Sequence, residues 1–298
     1  MPENSPSLVG SRLIMGTMRL GSWGAKMDAK GYLDVIHASL DHGINTFDLA
    51  DIYGDYTAEA EFGAALSLEP GLRDRIHLIT KCGICRVCDN RPQYFVKHYD
   101  TSAEHIIGSV DRALRELDTD RIDQLLIHRP DALMDADEVA EAFTQLADAG
   151  KVLSFGVSNF TPRQFDLLNS RYPLSTNQVE ANLLHLDPFL DGTLDQLQQH
   201  RLTPQAWSPL GGGALFRGDS GDEAARIRVV AHSLGKKYGL ALDQILLAWL
   251  LRHPSGIRPV LGTSRIERIA SAAQALKVEL SREDWYTLWS ASTGQRVP

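Results

Sequence analysis

Short β-rich runs alternate along the chain with longer segments whose apolar positions recur at helical spacing, and the alternation continues almost to the C-terminus. The strand-like runs are residues 13–16, 46–49, 76–81, 124–128, 154–158, 176–179, 204–207 and 258–261. Helical patterns fill the intervals at 31–42, 58–68, 103–117, 136–149, 163–169 and 193–200. Two more, 222–238 and 242–252, follow the seventh strand, and 265–276 follows the eighth. Breakers stand at the junctions: Asp41-His42-Gly43 and Ala149-Gly150 close helices, and Pro162 after Thr161 opens one.

Eight alternating units with no Ser/Pro-rich linker predict one (β/α)8 barrel domain over residues 1–298, in the α/β class. A doubly wound fold would carry Gly-x-Gly-x-x-Gly after its first strand, and this chain does not. The tail from Leu280, with Trp285 and Trp289 four residues apart, reads as an additional C-terminal helix packed on the barrel. A length of 298 residues is enough to bury roughly three quarters of the unfolded surface, and 43% hydrophobic with 23% charged residues is ordinary for a folded protein. The net charge of −8 argues against a nucleic-acid partner. The longest apolar stretch, residues 245–251, is too short for a membrane span, and MPENSPSLVG lacks the features of a secretory signal, so a cytoplasmic protein is expected.

Barrels carry their chemistry at the C-terminal ends of their strands. There the sequence places Asp48, Lys81, His128, Ser158-Asn159, Gln178, Trp207-Ser208 and Gly262-Thr263-Ser264, with Tyr53 five residues past Asp48. Taken singly, Asp48 reads as a turn residue, His128 as an interior histidine and Lys81 as a surface lysine. Together, four ionisable groups at one mouth are costly to desolvate unless they pair. A lysine beside a tyrosine lowers the phenol's pKa, and Asp48 can hold that lysine protonated. His128 can hydrogen-bond a substrate oxygen or assist the proton transfer. No side chain of the set supplies a redox agent, which points to a bound cofactor.

DLADIYG, LITKCG, LLIHRPD, GKVLSFGVSNF, NQVEAN, AWSPLGGG and PVLGTSRIERI, in this order between Gly16 and Ala273, closely resemble the aldo-keto reductase superfamily. The resemblance implies an NADPH-dependent oxidoreductase that reduces aldehydes or ketones, with Tyr53 as proton donor and Asp48, Lys81 and His128 completing a tetrad. It also implies that Ser158, Asn159 and Gln178 bind the nicotinamide amide and that Trp207 stacks on its ring. Gly16, Thr17 and Met18 would lie on the nicotinamide ribose side, and Ser208 and Leu210, with the flexible Gly211-Gly212-Gly213 run, would cover the pyrophosphate. Thr263, Ser264, Arg265 and Arg268 supply hydroxyls and guanidinium groups for an adenosine 2′-phosphate. Many members of the superfamily carry lysine where this chain has Gly262, so NADH also remains open as cofactor. Trp23, Tyr94 and Phe95, with Tyr53 and His128, are the candidate substrate wall, and a monomer acting on a small carbonyl compound is expected.

Two other enzymatic or regulatory readings compete with reduction. One is a cofactor-sensing protein with little turnover; the other is a Schiff-base enzyme using Lys81, against which Asp48 and Tyr53 favour a protonated lysine. Cys82, Cys85 and Cys88 lie within seven residues, which suits neither an extracellular disulfide framework nor the usual radical-enzyme cluster spacing. They read as free thiols with no metal, the alternative being zinc bound with help from His98 or His105.

Overall fold

Strands β1 (Ile14–Gly16), β2 (Thr46–Asp48), β3 (His77–Cys82), β6 (Gln124–Ile127), β7 (Phe155–Ser158), β8 (Asn177–Glu180), β9 (Gln205–Trp207) and β10 (Arg258–Leu261) form a closed barrel in which every neighbouring pair is parallel. A second, two-stranded antiparallel sheet, β4 (Ile84–Cys85) with β5 (His98–Tyr99), stands between β3 and β6. The computed structural model describes residues 10–298, so all of the N-terminal stretch read for a targeting signal except Gly10 lies outside the described residues. No helix among the described residues is long and apolar enough to cross a membrane.

The predicted helices are present, with ends shifted by one or two residues: Ala29–Asp41, Ala58–Leu66, Ala103–Glu116, Ala136–Asp148, Pro162–Asn169, Thr193–Gln199, Gly221–Tyr238, Leu242–Leu251 and Ile266–Gln274. Local chemistry fixes their starts. The side chains of Asp28, Ser102 and Asp135 accept from backbone N–H groups of the first turn, and Thr161 forms a capping box with Gln164. The C-terminal helix, Arg282–Thr293, is capped by Ser281. It lays Trp285 on Trp249 with ring centroids 4.9 Å apart and planes 11° apart. Each indole N–H donates to the other residue's carbonyl, at 3.2 and 3.0 Å.

Side chains alternate across each strand, so residues two apart share a face. Inside the barrel Ile14, Ile79, Leu126 and Val260 form a small apolar cluster. Alongside it Gln124, Gln178 and Gln205 are buried and joined in a column: Gln124 donates to Ser175 Oγ (2.7 Å), Gln205 to Gln124 Oε1 (2.7 Å), and Gln178 to Gln205 Oε1 (2.9 Å). Outside, helix faces cover the strands; the stack of Phe143 on Phe155, at 4.2 Å, is one contact of that layer. Gly16 sits at the seam between β1 and β10, where a Cβ would stand 2.7 Å from the carbonyl oxygen of Leu261. Only a residue without a side chain lets the two strands close there.

Candidate active site

The register of β2 on β3 and the period of two along each strand bring Asp48 and Lys81 to the same end of the barrel interior. Lys81 Nζ lies 2.7 and 2.8 Å from the two carboxylate oxygens of Asp48, donates to the carbonyl of Leu49 at 2.8 Å, and donates to the Tyr53 hydroxyl at 3.2 Å. Its three ammonium hydrogens therefore have three partners. Asp48 is fixed from two further sides. Gln178 Nε2 donates to its Oδ1 at 2.8 Å, and both the N–H and the hydroxyl of Thr17 donate to its carbonyl at 3.0 Å. The His128 ring stands edge-on to Tyr53 with centroids 6.0 Å apart, and Trp23 stands 6.2 Å from Tyr53 on another side.

Burial acts against every charge in this cluster. It pushes the Tyr53 phenol up, an effect larger than the opposing pull of Lys81, so the phenol is raised overall. The simple expectation of a lowered phenol is thus corrected: the ammonium offsets the burial without overcoming it. Burial also pulls Lys81 down, but Asp48 and Tyr53 together outweigh it and hold the ammonium charged. His128 is driven well below its ordinary range by burial and then by Lys81, Arg129 and Lys97, which makes it a neutral imidazole. Its Nδ1 is buried and has no hydrogen-bond partner among the described residues.

Beyond the tetrad, β7, β8 and β9 end in a linked set. Ser158 donates to the carbonyl of Gln178 at 2.8 Å and accepts from Asn159 Nδ2 at 2.7 Å, while Trp207 Nε1 donates to Asn159 Oδ1 at 2.9 Å. Asn159 and Ser208, just past the ends of β7 and β9 on either side of β8, both hold left-handed backbone, with φ of 62° and 48°, a strained conformation for residues other than glycine. Gln178 spends its amide nitrogen on Asp48 and Gln205, and no described residue donates to its Oε1. A flat, half-buried indole beside a free amide oxygen and a hydroxyl–amide pair fits a planar ring bearing a carboxamide. The Arg129 guanidinium sits 5.6 Å from the centre of the Trp207 ring.

Residues 12–292 match the Aldo/keto reductase family. The chain belongs to that family. Among curated relatives, the oxidoreductase YdhF of Escherichia coli is 48% identical, with 97% of this chain and 95% of the relative covered. The oxidoreductase YcsN of Bacillus subtilis is 47% identical over 97% of this chain and 96% of its own length. The 6-dehydroglucose reductase of Agrobacterium fabrum is 46% identical, with 98% of each covered. Among solved structures, the glycerol dehydrogenase AKR11B4 of Gluconobacter oxydans superposes with a TM-score of 0.84 at 24% identity, covering 98% of this chain and 96% of that one. That likeness concerns the fold. The protein is therefore an oxidoreductase of the aldo/keto reductase family built on a (β/α)8 barrel.

The rim differs from what the sequence led one to expect. The run Gly211-Gly212-Gly213, read as flexible, holds φ of 60°, 59° and 89°, a left-handed kink that glycine adopts without strain, and leads to the fully buried Leu215. Leu210 stands at its start, packed between the two main apolar clusters. Arg265, a candidate phosphate ligand, instead pairs with Glu267 at 2.7 Å, and Thr263 Oγ1 accepts from its N–H. Arg268 is exposed with no ion pair among the described residues, and Ser264 is half-buried. Gly262 is exposed with open space where a Cβ would stand. Met18 is 40% exposed at the end of β1.

Of the aromatic wall, only Trp23 is placed beside Tyr53. Tyr94 lies edge-on to His98 with its hydroxyl adjoining Cys85, and Phe95 is 94% exposed. Two cations were missed. Arg129 directly follows His128 in LLIHRPD and could have been read as a neighbour of the site; Lys97, whose charge reaches His128, lies on an excursion whose path the sequence does not reveal.

Proposed function

We propose that this aldo/keto reductase is an NADPH-dependent carbonyl reductase in which Tyr53 is the proton donor. Trp207, Ser158, Asn159 and Gln178 would hold the nicotinamide, with Gly16, Thr17 and Met18 on the ribose side. Ser208 and Leu210 would lie over the pyrophosphate, and Thr263, Ser264, Arg265 and Arg268 would take the 2′-phosphate. Bound NADPH supplies the hydride that the side chains cannot. The chain's own residues do the rest. The carbonyl oxygen is seated between the Tyr53 hydroxyl and His128, and the phenolic proton passes to that oxygen as the alcohol forms. Lys81, held charged by Asp48, stabilises the phenolate left behind. His128 is neutral, so it donates a hydrogen bond and is no rival acid; an unpaired buried acceptor is tolerated better than an unpaired donor, which favours its proton on Nε2.

The observation that carries this reading is the three-way grip of Lys81 on Asp48, Leu49 and Tyr53. With Tyr53→Phe, turnover of an aldehyde followed by NADPH oxidation falls by on the order of a hundredfold to ten-thousandfold, while NADPH binding measured by fluorescence is kept. Undiminished turnover overturns it. Wild-type protein that binds NADPH but oxidises it with no carbonyl compound would instead favour the sensing role.

Sugar-derived aldehydes are the proposed substrate class. Relatives 46% and 38% identical are named 6-dehydroglucose reductase. Lys97 and Arg129, whose charges reach His128, offer hydrogen-bond donors for hydroxyl groups. Comparing kcat/KM for 6-dehydroglucose with that for an apolar aldehyde such as benzaldehyde tests this, and a preference for benzaldehyde removes it.

A further inference from the structure

We propose that Cys85, Asp100 and His105 form a binding site for one divalent transition-metal ion, zinc by the chemistry of its donors. The three residues come from different pieces of chain: Cys85 from β4, Asp100 just past β5, and His105 from the first turn of helix Ala103–Glu116. One ligand atom from each, sulfur, carboxylate oxygen and ring nitrogen, lies within 4.8 Å of the other two. Zinc bonds of about 2.0–2.3 Å at tetrahedral angles put donor atoms roughly 3.3–3.6 Å apart, so modest contraction of this triangle would close it on an ion. His105 Nδ1 and Asp100 Oδ2 are already 3.6 Å apart, too long for a hydrogen bond between them.

The donors are free for the task. Asp100 Oδ1 is occupied by the N–H and hydroxyl of Ser102, which fixes the carboxylate and leaves Oδ2 facing the histidine. His105 makes no hydrogen bond through either ring nitrogen among the described residues; Nδ1 is the one that faces Asp100, and Nε2 is buried without a partner. Cys85 is fully buried, and the Tyr94 hydroxyl beside its sulfur could fill the fourth position or hydrogen-bond the thiolate. On binding, the thiol releases its proton to solvent as the sulfur–metal bond forms. Asp100 is 38% exposed at its side chain, which leaves an entry path for the ion.

The structure also selects among the three cysteines. Cys82 is buried in the first core cluster, and Cys88 Sγ approaches the carbonyl of Asp55 at 4.0 Å, so neither belongs to the group. His98, the other histidine of the segment, is exposed and bonded to the carbonyl of Val96. An ion at this place would fasten the β4–β5 hairpin to the helix that follows it. That hairpin excursion carries Lys97, so the ion would steady one wall of the barrel mouth.

The test uses the full-length protein, purified anaerobically, stripped with a chelator and titrated with cobalt(II) and then zinc(II). Expected are one equivalent bound, a thiolate-to-cobalt charge-transfer absorption in the near ultraviolet that zinc displaces, and a higher Tm for the zinc-loaded protein. Cys85→Ser abolishes the absorption, and His105→Gln, which keeps a polar side chain at this position, weakens binding by on the order of tenfold or more. Cys88→Ser changes neither. The proposal is overturned if the folded wild type binds no stoichiometric ion, if the absorption survives Cys85→Ser, or if affinity is unchanged in His105→Gln.

Discussion

Lys81 and Asp48 are each about 1–4% exposed at the side chain and satisfy one another, so their value is conditional on both being present. Removing one partner of a buried pair leaves an uncompensated charge and costs about 3–5 kcal/mol, whereas removing both with matched volumes costs far less. Lys81→Met and Asp48→Asn are therefore each expected to lower stability by about 3–5 kcal/mol in urea unfolding, and the double variant to recover much of it while remaining inactive. A double variant as unstable as the sum of the singles would refute this. At the rim, Glu267 holds the Arg265 guanidinium. Glu267→Gln should release it and tighten NADPH several-fold with little effect on NADH, and Arg268→Ala should weaken NADPH far more than NADH; equal changes for the two cofactors in binding titrations would remove the 2′-phosphate assignment. The tetrad was legible because its residues stand at strand ends in short motifs. The Arg265–Glu267 pair was not, since two charges within three residues carry no sign of whether they meet each other or a ligand.

At the level of elements, the eight barrel strands and ten helices, the C-terminal one included, could be read from period and breakers, because both are set by local chemistry. The β4–β5 hairpin could not: its strands are two residues each, too short to show alternation, and they are joined by residues 86–97, with a turn at Gly83 that holds φ at 101°. The same gap hides the settings of Tyr94 and Phe95, because only the hairpin turns one toward Cys85 and the other toward solvent. The seam at Gly16 gives an element-scale expectation. Gly16→Ala pushes a methyl group to 2.7 Å from the Leu261 carbonyl and forces β1 and β10 apart. A loss of about 1–3 kcal/mol follows, typical of overpacking, and an unchanged urea midpoint would show that the seam is slack.

For the molecule as a whole, stability should depend on pH through buried acids outside the tetrad. Burial, with Asp51 adding to it, pushes Glu59 up to about 8, and burial pushes Asp51 up to about 7. A carboxyl group raised in the folded state contributes stability that is complete below its unfolded pKa of about 4.3 and is lost as the pH rises through the folded value. Between about pH 4.3 and 8, wild-type stability should thus decline relative to Glu59→Gln by as much as about 1.4 kcal/mol per pH unit. Parallel urea titrations of the two proteins at pH 5, 6.5 and 8 check the slope, and parallel lines would mean that Glu59 is ionised in the fold.

The amide column inside the barrel has a directional consequence. An ionised Asp48 can only accept, so Gln178 must turn its nitrogen toward it; that same nitrogen faces Gln205 Oε1, whose nitrogen must then face Gln124, whose nitrogen must face Ser175. One negative charge at the mouth sets the polarity of three amides in succession, down to the first residue of β6. Neutralising it by Asp48→Asn would remove the rule that forbids the reversed arrangement, and the Gln124 side-chain amide resonances in an NMR spectrum would report a change made at the opposite end of the row.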